Sequence, residues 1–355
     1  MGKPDLRFRK ELEKYGAVDF SACYNCGTCT AVCSLSTEKD SFPREMVRCS
    51  TLGINEDIDH SLKPWLCYYC GECTTYCPME AKPGELMMSL RRYLISRYDW
   101  TSLSGMFYRN LPAYVLAFVL VILAIAGIYV YGIHSHDEWL HLGHYFEMIA
   151  IAAVAVIILL PNIFRMWLLT VLPTKNKFSL KAYLAGLKDL FIHMFTQQRS
   201  LDCEKTLANR IWWFEHFILV ASYLLLLVTT VFLDWFATDS MLIIVMGYLF
   251  SAVIFSVTFD FVIRRFRKRT EKSTYSHPSD WFFVIWLFLM GLSAFTVRLF
   301  IDSGLLDNHF WLYLIHLTIL TQWAVIIVPF GKWTHFLYRS FAMCFAKINS
   351  LSVIK

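Results

Sequence analysis

Residues 23–33 read CYNCGTCTAVC, and residues 67–77 read CYYCGECTTYC. Each run places its four cysteines at the spacing C-x2-C-x2-C-x3-C, with which bacterial ferredoxins hold [4Fe–4S] clusters. The first three cysteines of such a run wrap around one cubane, and the fourth reaches the other cubane. Two complete runs therefore predict a small α-helical domain that holds two [4Fe–4S] clusters.

The crossed spacing also predicts the ligands of each cluster, three from one run and one from the other. The two expected ligand sets are Cys23, Cys26, Cys29 and Cys77, and Cys67, Cys70, Cys73 and Cys33. Gly27 and Gly71 lie at matching positions, where glycine lets backbone amides approach the sulfurs and tune the reduction potential. Zinc is the alternative occupant, but its sites use two C-x2-C pairs or mixed Cys/His sets rather than two quartets.

Composition divides the chain of 355 residues into two main parts. The chain is 57% hydrophobic and only 17% charged, against about 25% charged residues in soluble domains. Residues 1–105 are polar and rich in cysteine, residues 106–345 contain the long apolar stretches, and residues 346–355 are expected to be a cytoplasmic tail. The first 14 residues are charged and lack the apolar core of a signal peptide, so we expect the thiols to stay in a reducing cytoplasm.

The second part predicts membrane-spanning helices, because about 20 apolar residues cross a bilayer and a backbone in lipid must satisfy its own hydrogen bonds. Six stretches qualify: 111–133, 145–172, 211–236, 241–263, 281–301 and 310–330. Residues 173–210 carry seven Lys or Arg and residues 264–280 carry six, whereas the loops on the other side carry none. The positive-inside rule then puts both termini and the cysteine domain in the cytoplasm. The predicted fold class is mainly α, a dicluster ferredoxin domain followed by a six-helix transmembrane cytochrome b bundle.

Two further helices are predicted near the cytoplasmic face of the membrane. Residues 85–98 form a basic helix whose Arg91, Arg92 and Arg97 either face solvent or contact anionic lipid headgroups. Residues 181–196 have apolar and basic positions that predict an amphipathic helix lying on the membrane surface.

Histidines in the apolar stretches are candidate haem ligands, because an ionisable side chain in lipid is costly without a partner. By their depth along the predicted helices, His216 and His335 form an inner pair near the cytoplasmic side. His316 and His144 form an outer pair, with His141 as the substitute for His144. Two haem b groups at two depths would give electrons a path across the membrane.

Each of these candidates also has a purely structural explanation. A membrane histidine can be hydrogen-bonded in the helix core, and an interfacial one such as His144 costs little. Arg298, near the outer end of the fifth span, either extends its guanidinium to water or pairs with haem propionates.

The motifs together resemble a known fusion of two subunits. The N-terminal part resembles the C subunit of heterodisulfide reductase. The sequences RIWWFEHF around His216 and PFGKWTHFLYR around His335 resemble the E subunit of that enzyme and the gamma subunit of respiratory nitrate reductase. One chain with both parts is similar to the C subunits of the quinone-interacting membrane-bound oxidoreductase complexes of sulfate reducers.

This resemblance implies haem b, menaquinol, and partner subunits with flavin and iron–sulfur clusters related to the A subunit of heterodisulfide reductase. It also implies adenylylsulfate reductase as the eventual electron acceptor, and no nucleic-acid partner is expected. One departure concerns the outer haem. The nitrate reductase pattern has a second histidine in the third span, where this chain has Leu226. Either His144 or His141 replaces it, or only one haem is bound.

The sequence leaves more than one function open. In the first hypothesis, electrons pass from menaquinol through haem to the clusters and then to soluble flavoproteins; the sequence itself also allows the reverse direction. In the alternative, the membrane part is a haem-free anchor and only the clusters transfer electrons. A transporter with an attached ferredoxin would show paired helices broken by Gly or Pro, a pairing that this sequence lacks.

Overall fold

The computed structural model describes residues 3–38, 40–132, 135–174, 178–201, 206–229, 240–268 and 274–352. These residues are mainly helical and include no β-strand; among them, one isolated bridge pairs Thr37 with Asp40. The mainly α fold class is therefore confirmed.

The N-terminal region consists of short helices and one long one. Their bounds are Phe8–Lys14, Thr28–Val32, Arg44–Leu52, Asn55–Asp59, Lys63–Leu66, Glu72–Thr75, Pro83–Tyr98 and Leu103–Arg109. We call Pro83–Tyr98 the long domain helix. The later α-helices are Leu111–Tyr131, His136–Ala153, Leu160–Thr170, Leu180–Thr196, Leu207–Leu227, Met241–Arg267, Pro278–Asp302, Trp311–Gln322, Val328–Phe330 and Thr334–Ser352. We call Leu180–Thr196 the lateral helix and Thr334–Ser352 the final helix.

Within the described ranges, six helical segments are long and apolar enough to cross a membrane, which agrees with the predicted number. They are Leu111–Tyr131, His136–Thr174, Leu207–Leu227, Met241–Arg267, Pro278–Asp302 and Trp311–Ser352. The second has 39 residues, which at 1.5 Å per residue is about 58 Å, nearly twice the thickness of the hydrocarbon core. The second and sixth segments therefore extend further than their apolar stretches predict.

The second and sixth segments each contain a π-helical turn that ends two residues before a proline. Val154–Leu159 precedes Pro161, and Trp323–Ile327 precedes Pro329. Proline lacks an N–H and its ring crowds the carbonyl four residues earlier, which in both segments lies inside the π turn. The wider π turn lets the segment stay helical across the proline.

The chain forms two compact units that do not follow chain order. The first contains residues 1–109, 160–210 and 332–355, and the second contains residues 110–159 and 211–331. The division predicted from sequence, at residue 105, assigned all later helices to a membrane domain. In the structure the final helix continues to Ser352 with Ile348 buried, where the sequence predicted a tail. Apolar side chains of this helix pack into the core of the first unit, a long-range contact that composition does not reveal.

The long domain helix lies at the centre of the first unit and is buried on nearly every side. Arg91 and Arg92 are buried, and Arg92 donates to the carbonyl oxygen of Tyr15 at 2.7 Å. Arg97 pairs with Asp59 at 2.8 Å. Both sequence interpretations were therefore wrong for Arg91 and Arg92, because neither side chain reaches bulk water or lipid headgroups. Arg97 is exposed, which agrees with the interpretation that it faces solvent.

The lateral helix is amphipathic, as predicted, but one of its apolar sides packs within the first unit. Gly186 lies against the final helix, and Leu190, one of the apolar residues of the lateral helix, is buried in the core of the unit. Other large apolar side chains stay exposed: Leu180, Leu184, Leu187, Phe191 and Phe195. Contact of this exposed face with the membrane surface remains a prediction.

The second unit contains polar contacts between its apolar helices. The side chain of Gln322 donates to the carbonyl oxygen of Phe118 at 3.0 Å and accepts a hydrogen bond from the indole of Trp286 at 2.8 Å. The ring of Trp286 packs edge-on against Phe118. Satisfied polar side chains of this kind join helices in an apolar environment.

The contact at Gly186 gives a test of the packing of the first unit. A Cβ there would lie 3.0 Å from the carbonyl oxygen of Cys344 and 3.0 Å from Cγ1 of Ile348. We expect Gly186→Val to force the two helices apart and to destabilise the protein by about 1–3 kcal/mol. Thermal unfolding of the purified protein in detergent measures this.

Gly127→Val is the matched control, because no described atom outside its own helix lies within 4 Å of a Cβ at that position. Its unfolding temperature should not fall. An equal fall of the unfolding temperature in both variants would show that the lateral and final helices are not closely packed at Gly186.

Candidate iron–sulfur site

The two cysteine runs have the same local conformation. Gly27 and Gly71 have φ angles of +89° and +94° and directly precede the helices Thr28–Val32 and Glu72–Thr75. Only glycine adopts this conformation without steric cost. The turn places the third cysteine of each run in a short helix, and the fourth cysteine follows the end of that helix.

A cavity beside the second run brings together cysteines from both runs. Cys33 lines it together with Cys67, Cys70 and Cys73. Its other walls include Gly71, Phe42, Pro43, Leu35 and Gly84. The fourth cysteine of the first run therefore meets the first three of the second, which is the crossed arrangement that the spacing predicts.

Electrostatics within this cavity show how closely its thiols interact. Burial raises the pKa of the Cys33 thiol, and the nearby sulfurs of Cys67 and Cys70 raise it further. Burial also raises the pKa of Cys73, with added repulsion from Cys67, Cys70 and Cys33. Four thiolates in this space need positive charge close by, and cluster irons supply it.

The remaining cysteines form a second group at the first run. Burial raises the pKa of Cys29, and the charges of Cys23 and Cys26 add to that shift. The pKa of Tyr24 is raised, first by its hydrogen bond with Cys26 and also by the charges of Cys77 and Cys23. Cys77 is therefore close enough to the first run to act on Tyr24 electrostatically, and its ligation of the cluster of that run remains a prediction.

Backbone amides donate to cysteine sulfurs at both sites, as expected for cluster ligands. The amide of Asn25 lies 3.4 Å from Sγ of Cys23, and that of Tyr69 lies 3.3 Å from Sγ of Cys67. Asn25 and Tyr69 occupy the same position in their runs and both have positive φ angles, 67° and 58°. The repeated strained residue directs an amide at the first sulfur of each run.

The two sites differ in their exposure to water. Cys26 is exposed, and so are Tyr24 and Tyr76 beside the first site. Cys67 at the second site is buried, and Trp65, two residues before it, is 0% exposed. The second site is therefore the less exposed of the two, although Cys33, Cys70 and Cys73 are half-buried; we call it the interior site and the first the surface site.

Comparison with known proteins agrees with this geometry over the N-terminal region. Residues 19–81, which contain all eight cysteines of the two runs, match a family described as 4Fe-4S dicluster domain. This part of the chain is a 4Fe-4S dicluster domain. No curated protein and no solved structure matches the chain. The dicluster domain is followed by a helical region able to span a membrane several times.

The dicluster domain has thiols, amides and a cavity that fit iron–sulfur clusters. Among the described residues, no three His, Cys, Asp or Glu side chains converge closely enough to hold a single metal ion. At the second site the thiols of Cys33, Cys67, Cys70 and Cys73 instead line one shared cavity, which suits the four ligands of a cubane.

The candidate outer haem ligands both belong to the second unit. His316 lies in the helix Trp311–Gln322, and its Nδ1 is 2.9 Å from the hydroxyl oxygen of Ser293. His144 lies in the helix His136–Ala153, beside the ring of Tyr145. Metal-binding histidines commonly engage their second nitrogen in such a hydrogen bond, so the Ser293 contact is compatible with ligation through Nε2 of His316.

The candidate inner ligands belong to different units. His216, in the second unit, stacks on Trp212 of its own helix with ring centroids 5.4 Å apart. His335, in the first unit, contacts Trp65 of the dicluster domain with ring centroids 5.8 Å apart. Haem binding by all four histidines remains a prediction.

Arg298 has a partner on its own helix. Its guanidinium binds Asp302 through two nitrogens, at 3.0 Å and 3.1 Å, and Asp302 also accepts a hydrogen bond from Tyr248. A contact of Arg298 with haem propionates remains a prediction.

Two residues beside the second site were missed by the sequence analysis. Arg91 donates hydrogen bonds to the carbonyl oxygens of Pro64 and Cys67, and Trp65 joins the second run to the final helix. The position of Trp65, two residues before a cluster cysteine, was the one signal that could have singled it out. Nothing in the sequence pattern distinguishes Arg91 from a solvated basic residue.

The crossed ligand sets predict which variants act on the same cluster. Cys33→Ser should perturb the same electron paramagnetic resonance (EPR) signal as Cys70→Ser, although Cys33 belongs to the other run. Cys77→Ser should perturb the same signal as Cys26→Ser. EPR spectra of the reduced protein, with iron content per chain, check this.

Cys49→Ala is the control, since Cys49 is a buried thiol outside both runs and its removal should leave the iron content unchanged. If Cys33→Ser instead altered the signal affected by Cys26→Ser, each run would hold its own cluster and the crossed assignment would be wrong.

Proposed function

We propose that this chain carries electrons between a quinol in the cytoplasmic membrane and soluble redox partners in the cytoplasm. The donor is menaquinol, and electrons cross the membrane part through haem b and leave through the two [4Fe–4S] clusters. The acceptors are subunits with flavin and iron–sulfur clusters related to the A subunit of heterodisulfide reductase, with adenylylsulfate reductase as the eventual acceptor. Both termini and the dicluster domain are in the cytoplasm.

The contact of Trp65 with His335 supports this proposal most directly. Trp65 is fully buried and packs against His335 and Tyr338 of the final helix, with ring centroids 5.8 Å and 5.7 Å apart. Its indole also donates to the hydroxyl of Tyr98 at 3.3 Å. The indole therefore lies against a candidate haem ligand, in the same short helix region that ends at cluster ligand Cys67.

Residues of this chain shield and orient the indole of Trp65 between the final helix and the second cluster site. Burial of Trp65, Tyr98 and Tyr338 excludes water between the final helix and the second cluster site. The hydrogen bond to Tyr98 and the ring contacts hold the indole in one orientation. Haem b, when bound, supplies the one-electron chemistry that links a two-electron quinol to one-electron clusters.

The haem-free anchor is the second candidate, and two contacts favour it. The hydrogen bond of His316 to Ser293 and the ion pair of Arg298 with Asp302 give both side chains a structural reason to be present. In that case the six segments only hold the dicluster domain at the membrane.

A pyridine haemochrome spectrum of the purified chain separates the two functions. We expect haem b in the native protein and less of it in His335→Ala and in His316→Ala, because each variant removes one axial ligand. His309→Ala is the control, since His309 contacts only the ring of Phe300 and the carbonyl oxygen of Leu305 in the described structure.

Absence of haem b from a native preparation that retains its iron–sulfur clusters would contradict the proposal and support the anchor. Equal haem loss in the His309 variant would show that the histidine substitutions act through stability rather than through ligation.

A further inference from the structure

A buried cation lies directly beneath the second cluster site. Arg91 is 3% exposed, and its Nε donates to the carbonyl oxygen of Pro64 at 2.7 Å. Its terminal nitrogens donate to the carbonyl oxygen of Cys67 and contact Sδ of Met88 at 3.4 Å. The guanidinium is therefore held against the backbone of a cluster ligand.

All the contacts that hold Arg91 in the described structure are neutral. Several other cations of the first unit have carboxylate partners: Arg97 pairs with Asp59, Lys82 with Asp19, and Lys63 with Asp40 and Glu45. Arg92 is also buried, and it donates to the carbonyl oxygen of Tyr15 rather than to the backbone of a cysteine run. A buried charge is costly unless an opposite charge compensates it. The thiolate of Cys67 is the anion whose electrostatic interaction with Arg91 is strongest.

We propose that Arg91 is the counter-ion of the cluster held by Cys33, Cys67, Cys70 and Cys73 and raises its reduction potential above that of the other cluster. This inference rests on the proposed function only in that both clusters are bound. Reduction adds a negative charge to the cluster, and a fixed cation in a medium of low dielectric stabilises that added charge.

The first site lacks an equivalent buried cation in the described structure. Its nearest guanidinium, that of Arg44, is partly exposed and donates to the side chain of Asn25 at 2.8 Å. Water screens an exposed charge far more than a buried one. The interior cluster should therefore accept an electron from a weak reductant, such as a quinol, more readily than the surface cluster does.

A redox titration of the full-length protein followed by EPR tests this difference. Arg91→Gln keeps donors for the carbonyl oxygens and removes the charge. We expect its interior cluster to be at least tenfold less reduced at a given potential, a fall of about 59 mV for one electron. Arg91→Lys keeps the charge and should lower the midpoint potential of the interior cluster less than Arg91→Gln does. Arg97→Gln removes a cation of the same helix that already has a carboxylate partner. It should change the midpoint potential of the interior cluster by less than about 59 mV.

Iron content of the same samples separates failure of this inference from failure of the proposed function. Native protein without clusters would overturn both. Native protein with both clusters, and an Arg91→Gln midpoint equal to the native one, would overturn the role of Arg91 alone. If the Arg91→Gln protein does not bind its clusters, the midpoint potentials of the native protein test the inference instead. The cluster affected by Cys33→Ser must then have a higher midpoint potential than the cluster affected by Cys77→Ser.

Discussion

The crossing of Cys33 into the second cysteine run is the constraint on which the rest of the first unit depends. The chain between the two runs must fold back so that Cys33 meets Cys67, Cys70 and Cys73 around one cavity. The long domain helix then closes that cavity from the side of Gly84. A Cβ at this position would lie 2.9 Å from the hydroxyl of Thr74, so a side chain there would crowd the second run.

This crossing gives the two cluster sites different surroundings. The interior site has Arg91 beneath it and Trp65 between it and the final helix. The surface site has exposed Tyr24 and Tyr76 beside it. In the proposed function, electrons would pass from the final helix past the buried indole of Trp65 and leave from the more exposed cluster toward a soluble partner.

The parts of the structure that depend on local pattern could be predicted from the sequence. Cysteine spacing predicts the crossed sets because it reflects the size of a cubane, and apolar length predicted six segments able to cross a membrane. The burial of Arg91 and Leu190 could not be predicted, because it results from contacts with distant segments of the chain. For the same reason, the sequence did not reveal that residues 160–210 and the final helix join the dicluster domain in one unit.

The central claim is that electrons from a quinol reach the clusters through this chain. The most direct measurement mixes the purified, oxidised protein in lipid with a reduced menaquinol analogue and freezes samples over time for EPR. The account predicts that haem is reduced first and that the signal of the interior cluster follows. Clusters that stay oxidised with quinol, yet are reduced by dithionite, would contradict it.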